Sequence, residues 1–378
     1  MRIKKLSFYL LSLFFFTNCT QQGKKQVAEN DEGFIVASMA EVGIDSSIVN
    51  KIDTAITNGT YPNIHSLLIV RNNKLVYEHY WPGIDQSWGE DLGIRMQGKD
   101  SLHDIRSISK SIVSACVGIT IQQGKIKSID QKVFDFFPEY KKLDTGLISS
   151  LTIEHLLTMS SGLKWNEEVP YDNPENSEIR MIRSSNQVEY VLSQPMEFPP
   201  GQVWKYNGGT TQLLAAIIEK TTGKKVEQFA KEYLFQPLGI TRFEWIKYDG
   251  TDLAAAASGL RLRSHDLLKF GSLYYNDGRY NDTQVVSKKW VEESFQSHVQ
   301  RPGGGWYGYQ FWLWQDTIKN KPLSMVACIG NGDQRILFDK ANDLLIVATA
   351  GNYNKWDIKK NVYQLLKEYV YPALINNK

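Results

Sequence analysis

The amino-acid sequence predicts an α+β fold: an antiparallel sheet built from both ends of the chain and flanked by helices, with a mostly helical subdomain inserted between the two groups of strands. Short apolar segments bounded by turn residues, near residues 66–80 and again near 309–348, supply the strands. The long stretch between them is dominated by helical periodicity and loops. The 378 residues, 42% of them hydrophobic, suffice for one large domain or two intimately packed ones with a substantial core.

Taken in order, Ser66–Val70 and Leu75–Tyr80 flank Arg71-Asn72-Asn73-Lys74 and read as a hairpin. After Ser107, the apolar residues Ile108, Ile112, Val113, Cys116, Val117 and Ile119 recur at helical spacing up to a stop at Gly124. Leu151–Leu157, Gln212–Ile218 and Val226–Phe235 continue as amphipathic helices. Strands return at Tyr309–Trp314, Ser324–Ile329, Arg335–Phe338 and Leu344–Ala348, and Val362–Tyr369 closes the chain as a helix. There is no internal repeat or low-complexity run.

The first residues carry a basic start, Arg2, Lys4 and Lys5, followed by an apolar run, Leu6–Phe16, too short to span a bilayer as a helix. Residues 1–18 therefore read as a signal peptide. Cys19 directly after it resembles the lipidated cysteine of a bacterial lipoprotein, although Phe16-Thr17-Asn18 departs from the usual lipobox pattern. The expected organisation is a signal peptide (1–18), a lipidated N-terminus and polar tether (19–42) and one large domain (43–378), held at the cell envelope with the membrane as partner. Loss of the three basic residues from a formal charge of +2 leaves a near-neutral chain with no footprint for nucleic acid. Cys116 and Cys328 read as buried thiols, and neither forms a metal-ligand spacing with the six histidines. No metal or cofactor is expected.

Chemistry is concentrated at Ser107-Ile108-Ser109-Lys110. Residues three apart on a helix are neighbours, so the Lys110 amine can take the proton of the Ser107 hydroxyl, which is otherwise a poor nucleophile. The start of a helix also presents free amides and a positive dipole end to a developing oxyanion. The bland alternative is a Ser107 that merely caps its helix and a solvated Lys110. Two further segments weigh against it: Pro200-Gly201 leading into Trp204-Lys205-Tyr206-Asn207-Gly208, and a glycine-rich turn, Gly330-Asn331-Gly332-Asp333, between two apolar strands.

With Ser107 and Lys110 these segments resemble the serine β-lactamase and penicillin-binding-protein family, especially its class C-like branch of esterases and 6-aminohexanoate-dimer hydrolases. The resemblance covers most of residues 43–370 and includes Leu151–Gly162, Gln236–Gly239, Ala257–Leu260 and Trp306–Tyr309. It implies a β-lactamase/transpeptidase-like fold, with Ser107 as the acylated nucleophile, Lys110 as its base and Tyr206 as a second proton-transfer group that protonates the leaving group. The backbone amides of Ser107 and Asn331 would form the oxyanion hole, and Asn207, Gly208, Cys328, Ile329, Gly330 and Gly332 are candidates for the pocket wall.

Two departures bear on substrate. Where family members that act on penicillins or D-Ala-D-Ala peptides usually carry Lys-Thr-Gly, this chain has Cys328-Ile329-Gly330, and the usual Tyr-x-Asn becomes Tyr206-Asn207-Gly208. The missing cation points to a small or apolar ester or amide rather than a carboxylate-bearing lactam. The alternatives are a lactamase or D,D-carboxypeptidase using Arg335 or Arg263 as the anchor, and a non-catalytic module that binds cell-wall peptides. His155 and His265 do not make a Ser-His-Asp triad, because no G-x-S-x-G elbow is present and both lie in helical segments.

Overall fold

The computed structural model describes residues 29–318, 320–355 and 357–375. The signal segment and Cys19 lie outside the described residues. The strands of the main sheet are β1 (Ile64–Arg71), β2 (Lys74–Tyr80), β3 (Val299–Gln300), β4 (Trp306–Tyr307), β5 (Trp312–Ile318), β6 (Lys321–Gly330), β7 (Gln334–Asp339) and β8 (Leu344–Ala350). They run in the order β3-β4-β5-β6-β7-β8-β1-β2, with every neighbouring pair antiparallel. The N-terminal hairpin thus docks on the C-terminal strand β8, as expected of a sheet drawn from both chain ends. Its turn is made by Asn72 and Asn73, both left-handed at φ 53° and 57°, the geometry a two-residue hairpin loop of this hand requires.

Both faces of the sheet are covered, which is why β1 and β8 are near-continuous apolar runs. Leu68, Val70, Ile336 and Val347 face a core shared with helices α1 (Ile108–Gln122), α2 (Gly208–Thr222) and α3 (Ser264–Tyr275). Leu67, Ile69, Leu337 and Ile346 face the opposite way, toward helix Lys51–Thr57 and the C-terminal helical run from Val362. Each fully buried aliphatic side chain here stabilises the fold by about 1.5–3 kcal/mol. Helix α1 is buried on all sides from Ile108 to Thr120, as befits a core helix. Gly118 lets it approach helix Lys288–Ser294, since a Cβ there would sit 2.5 Å from the Trp290 ring.

Three differences from the sequence reading bear on the site. The strand expected from Tyr309 begins at Trp312, because Gln310 is left-handed at φ 67° and ties its backbone and side chain to Leu156, Leu157, Ser111 and Thr211. A small sheet of His103–Asp104, Leu260–Leu262 and Glu244–Trp245, too short to show periodicity, fixes the segment before α1 against the segment after Ala257. The tether expected through residue 42 packs on the domain from Glu29 onward: Leu75 exchanges backbone hydrogen bonds with Ile35 and Ala37, Phe34 stacks on His265, and Glu32 is gripped by Arg263 and Lys269.

Candidate active site

Arg106, left-handed at φ 49°, turns the chain sharply into α1 and sets Ser107 at the helix cap. One turn on, the Lys110 ammonium donates to Ser107 Oγ at 3.0 Å and to the Ala257 carbonyl at 3.0 Å. Lys110 is 1% exposed, so the solvated-lysine alternative fails. Burial removes water as a competitor for Ser107, and the Ala257 carbonyl, supplied by the loop that leads into the small sheet, fixes the amine's position.

Tyr206 enters from a segment pinned to left-handed Met159: the Lys205 amide donates to the Met159 carbonyl at 2.8 Å, and the Asn207 amide to its sulfur at 3.2 Å. The Tyr206 ring lies 4.9 Å from Lys110 Nζ, and Tyr206 and Ser107 border the same cleft. Burial first, and the Glu167 carboxyl second, push the phenol well above its ordinary range. It is therefore held protonated, suited to relay a proton rather than to act as a phenolate base. Trp204, Tyr307 and Trp312 pack edge-on around one another, and the Trp312 ring sits 5.6 Å from that of Tyr206.

Ser107 and Tyr206 open into a cleft of about 300 Å³ walled by Trp312, Tyr171, Ile329, Gly330, Asn331 and Gly332. A second lobe of about 380 Å³ continues past Ser107 along Trp88, Arg106, Tyr171, Asp172 and Glu178. Asn331 borders both lobes, its side chain locked to Asn354 by hydrogen bonds of 2.7 and 2.9 Å. Three pocket candidates need correction. Asn207 is 1% exposed and caps α2 through the Thr210 amide, Gly208 is buried in the first turn of that helix, and Cys328 is 0% exposed on the core face of β6 beside Ser111. Strand parity decides the last: Cys328 points into the α1 core, while its neighbour Ile329 reaches the cleft.

Of the two arginines considered as carboxylate anchors, Arg335 borders the cleft and is paired with Asp333 at 2.9 Å. Arg263 is bound by Asp266 and Glu32 and borders neither lobe. His155 closes a capping box with Thr152, and His265 faces Glu78, so neither approaches Ser107 as a triad member would. His65, Asp85 and His103 form a buried cluster that sequence spacing does not reveal, with one ligand atom from each lying within 4.8 Å of the others; His65 Nδ1 and His103 Nε2 hydrogen-bond directly at 2.8 Å. Sequence reasoning also missed Glu167 and Glu178. They converge beneath Gly208, and the only trace of them in the sequence is the side chain absent at that position.

A helix-borne serine within hydrogen-bond reach of a buried lysine amine, beside a buried tyrosine and the end of β6, is the arrangement expected of an SxxK serine hydrolase. The family model described as Beta-lactamase matches residues 64–366. The chain belongs to this family and is a β-lactamase-related hydrolase. It is 24% identical over 306 residues, 75% of this chain and 71% of the relative, to a 6-aminohexanoate-dimer hydrolase of Paenarthrobacter ureafaciens. To a lovastatin esterase of Penicillium rubens it is 31% identical over 130 residues, 32% of this chain and 30% of the relative. Several other curated relatives are matched over about half of their length. The fold is similar to that of a penicillin binding protein from Bacillus halodurans, with a TM-score of 0.62, 17% identity, and coverage of 79% of this chain and 95% of that one. It is also similar to EstCE1, a hydrolase with promiscuous acyltransferase activity, with a TM-score of 0.67, 16% identity, and coverage of 86% and 98%.

Proposed function

We propose that this chain hydrolyses small, uncharged esters or amides through an acyl-enzyme on Ser107. The observation that carries the reading is the 3.0 Å contact between the buried Lys110 amine and Ser107 Oγ. In its neutral form Lys110 takes the hydroxyl proton as Ser107 attacks the carbonyl carbon. The oxyanion is received by the amides of Ser107 and Asn331, at the helix start and the β6–β7 turn. As the tetrahedral intermediate collapses, the bond to the leaving alcohol or amine breaks, and the Tyr206 phenol passes it the proton held by Lys110. Water then enters by the reverse path and releases the acid. Because burial keeps Tyr206 a phenol, Lys110 is the base and Tyr206 the relay.

The substrate class follows from the walls. Cys328 faces the core, so the strand beside Ser107 offers no cation for a carboxylate, while Trp312, Tyr171 and Ile329 offer apolar and aromatic surface. The resemblance to a 6-aminohexanoate-dimer hydrolase and a lovastatin esterase supports the same class. Lys355 and Arg335 at the outer end of the cleft favour a second reading, a lactam or cell-wall peptide held by its carboxylate. We propose further that Cys19 is lipidated and anchors the protein at the cell envelope.

One experiment separates these readings: intact-mass spectrometry and turnover with a fluorophosphonate, p-nitrophenyl butyrate and nitrocefin, for wild type and Ser107→Ala. The expected result is one covalent adduct and efficient ester turnover in wild type, slow nitrocefin cleavage, and loss of at least 10³-fold in activity and of all labelling in Ser107→Ala, on the order seen when a cooperating nucleophile is removed. Efficient nitrocefin cleavage with indifference to the ester would establish the second reading. Wild-type turnover in Ser107→Ala would refute both.

A further inference from the structure

Gly208 occupies the position where the family pattern places the asparagine of Tyr-x-Asn, and the space is filled by two acids. A Cβ on Gly208 would lie 3.0 Å from Glu167 Oε1, 3.1 Å from Glu178 Cδ and 3.2 Å from Glu178 Oε1. Glu167 Oε1 accepts from the Trp165 indole at 2.6 Å and the Gly208 amide at 2.5 Å, while Glu178 Oε1 accepts from Ser258 at 2.9 Å. The remaining oxygen of each carboxyl, Oε2, is buried and has no hydrogen-bond partner among the described residues. Two buried carboxyls that each hold an orphaned oxygen, and that both lie within 3.2 Å of the point where a Gly208 Cβ would stand, form an arrangement whose repulsion a single proton would relieve.

Charges from each packed element bear on this pair. Lys110 faces it from α1, Tyr206 from the start of α2, Tyr171 from the loop carrying Glu167, and Tyr248 from behind α2. Burial, then repulsion by Glu178, push the Glu167 carboxyl up to about 8 against the opposing pull of Lys110. Paired acids of this kind titrate as a unit.

Building on the SxxK reading above, we propose that Glu167 and Glu178 share one proton and act as a positioning pair that sets the charge beside Lys110 and Tyr206. With the shared proton in place the pair carries one negative charge. Loss of that proton puts a second negative charge beside the amine, which favours its ammonium form, and an ammonium cannot accept the proton of Ser107. The pair then gives activity an alkaline limit that belongs to neither Lys110 nor Tyr206. Glu167 borders the cleft, but its role runs through Lys110 rather than through the bond being broken.

The test is the rate of fluorophosphonate labelling of Ser107 from pH 6 to 9.5 in wild type, Glu167→Gln and Glu178→Gln. A glutamine holds the place of a protonated glutamate and leaves one negative charge at every pH in that range. Between pH 7 and pH 9 the wild-type labelling rate should fall about tenfold relative to that of either variant, because at pH 9 roughly one wild-type pair in ten would retain its proton. Glu167→Asp should restore an alkaline limb. In wild type, infrared spectra should show a protonated carboxyl band at pH 7 that is lost near pH 8, a measurement that stands even if the variants fold poorly. Superimposable profiles for wild type and the glutamine variants, or absence of that band, would overturn the proposal while leaving the SxxK reading intact. No labelling of wild type at any pH would overturn the SxxK reading itself, and the pair's role with it.

Discussion

Replacing Cys328 by lysine would restore, in sequence, the cation that penicillin-acting members of the family carry, and the structure predicts that it strongly destabilises the protein instead of changing its substrate. Cys328 is 0% exposed among Ile336, Tyr274 and the α1 core, with burial raising its thiol above the ordinary range. An ammonium placed there without a partner costs about 3–5 kcal/mol, and the added methylenes about 1–3 kcal/mol more through overpacking. The sum approaches the whole stability of an ordinary domain, about 5–15 kcal/mol. Urea denaturation followed by tryptophan fluorescence should show a much lower midpoint for Cys328→Lys at pH 7. Its pH dependence identifies the cause. Burial depresses the folded pKa of the new lysine below the unfolded value of about 10.4, so between the two values the unfolded state binds the extra proton. Stability must then rise with pH across that window, by at most about 1.4 kcal/mol per pH unit. Cys328→Met, which overpacks without charge, should lose about 1–3 kcal/mol with no such pH dependence. A Cys328→Lys protein with a wild-type midpoint and new nitrocefin turnover would refute the reasoning and place residue 328 in the cleft.

Two further outcomes are expected. Burial works to raise the Glu32 carboxyl, but hydrogen bonds from Lys269 and Arg263 hold it at about 2 against an ordinary 4.5; a depressed carboxyl stabilises above its unfolded pKa and loses that contribution as pH falls from about 4.5 to 2. Glu32→Gln should therefore flatten the acid loss of melting temperature across that window, and hydrogen exchange should show residues 29–42 loosened at neutral pH; an unchanged acid profile would remove the ion cluster from the account. Cys19→Ala should leave unprocessed precursor or release the chain from membranes, and a lipid-free mature protein from wild type would end the lipoprotein reading.

The sequence was most legible where chemistry and periodicity coincide. Ser107 and Lys110 could be paired because three residues of helix set their separation, and Tyr206 could be added because its Pro-Gly entry and its place before α2 are local features. The hairpin turn at Asn72-Asn73 was legible for the same reason, its residues being those that tolerate a left-handed backbone. The wall of the cleft was not. Cys328 and Ile329 are adjacent, and which of them faces the substrate depends on strand parity relative to α1, which no local pattern fixes.

By itself, then, the sequence determined the sheet drawn from both chain ends, the core helix, the pairing of Ser107 with Lys110, and the family, because each depends on spacing within one segment or on ordered motifs. Only the tertiary structure decided how the site is charged and what it admits. Glu167 and Glu178 are eleven residues apart in a loop and a short helix, and they meet only because α2 begins with a glycine that leaves them room. Arg263 was removed as an anchor, and Asn207, Gly208 and Cys328 from the wall, by burial and by partners distant in sequence. The physical reason is common to all of these: the charge and exposure of a side chain are set by what packs against it, and here the packing partners come from segments far apart along the chain.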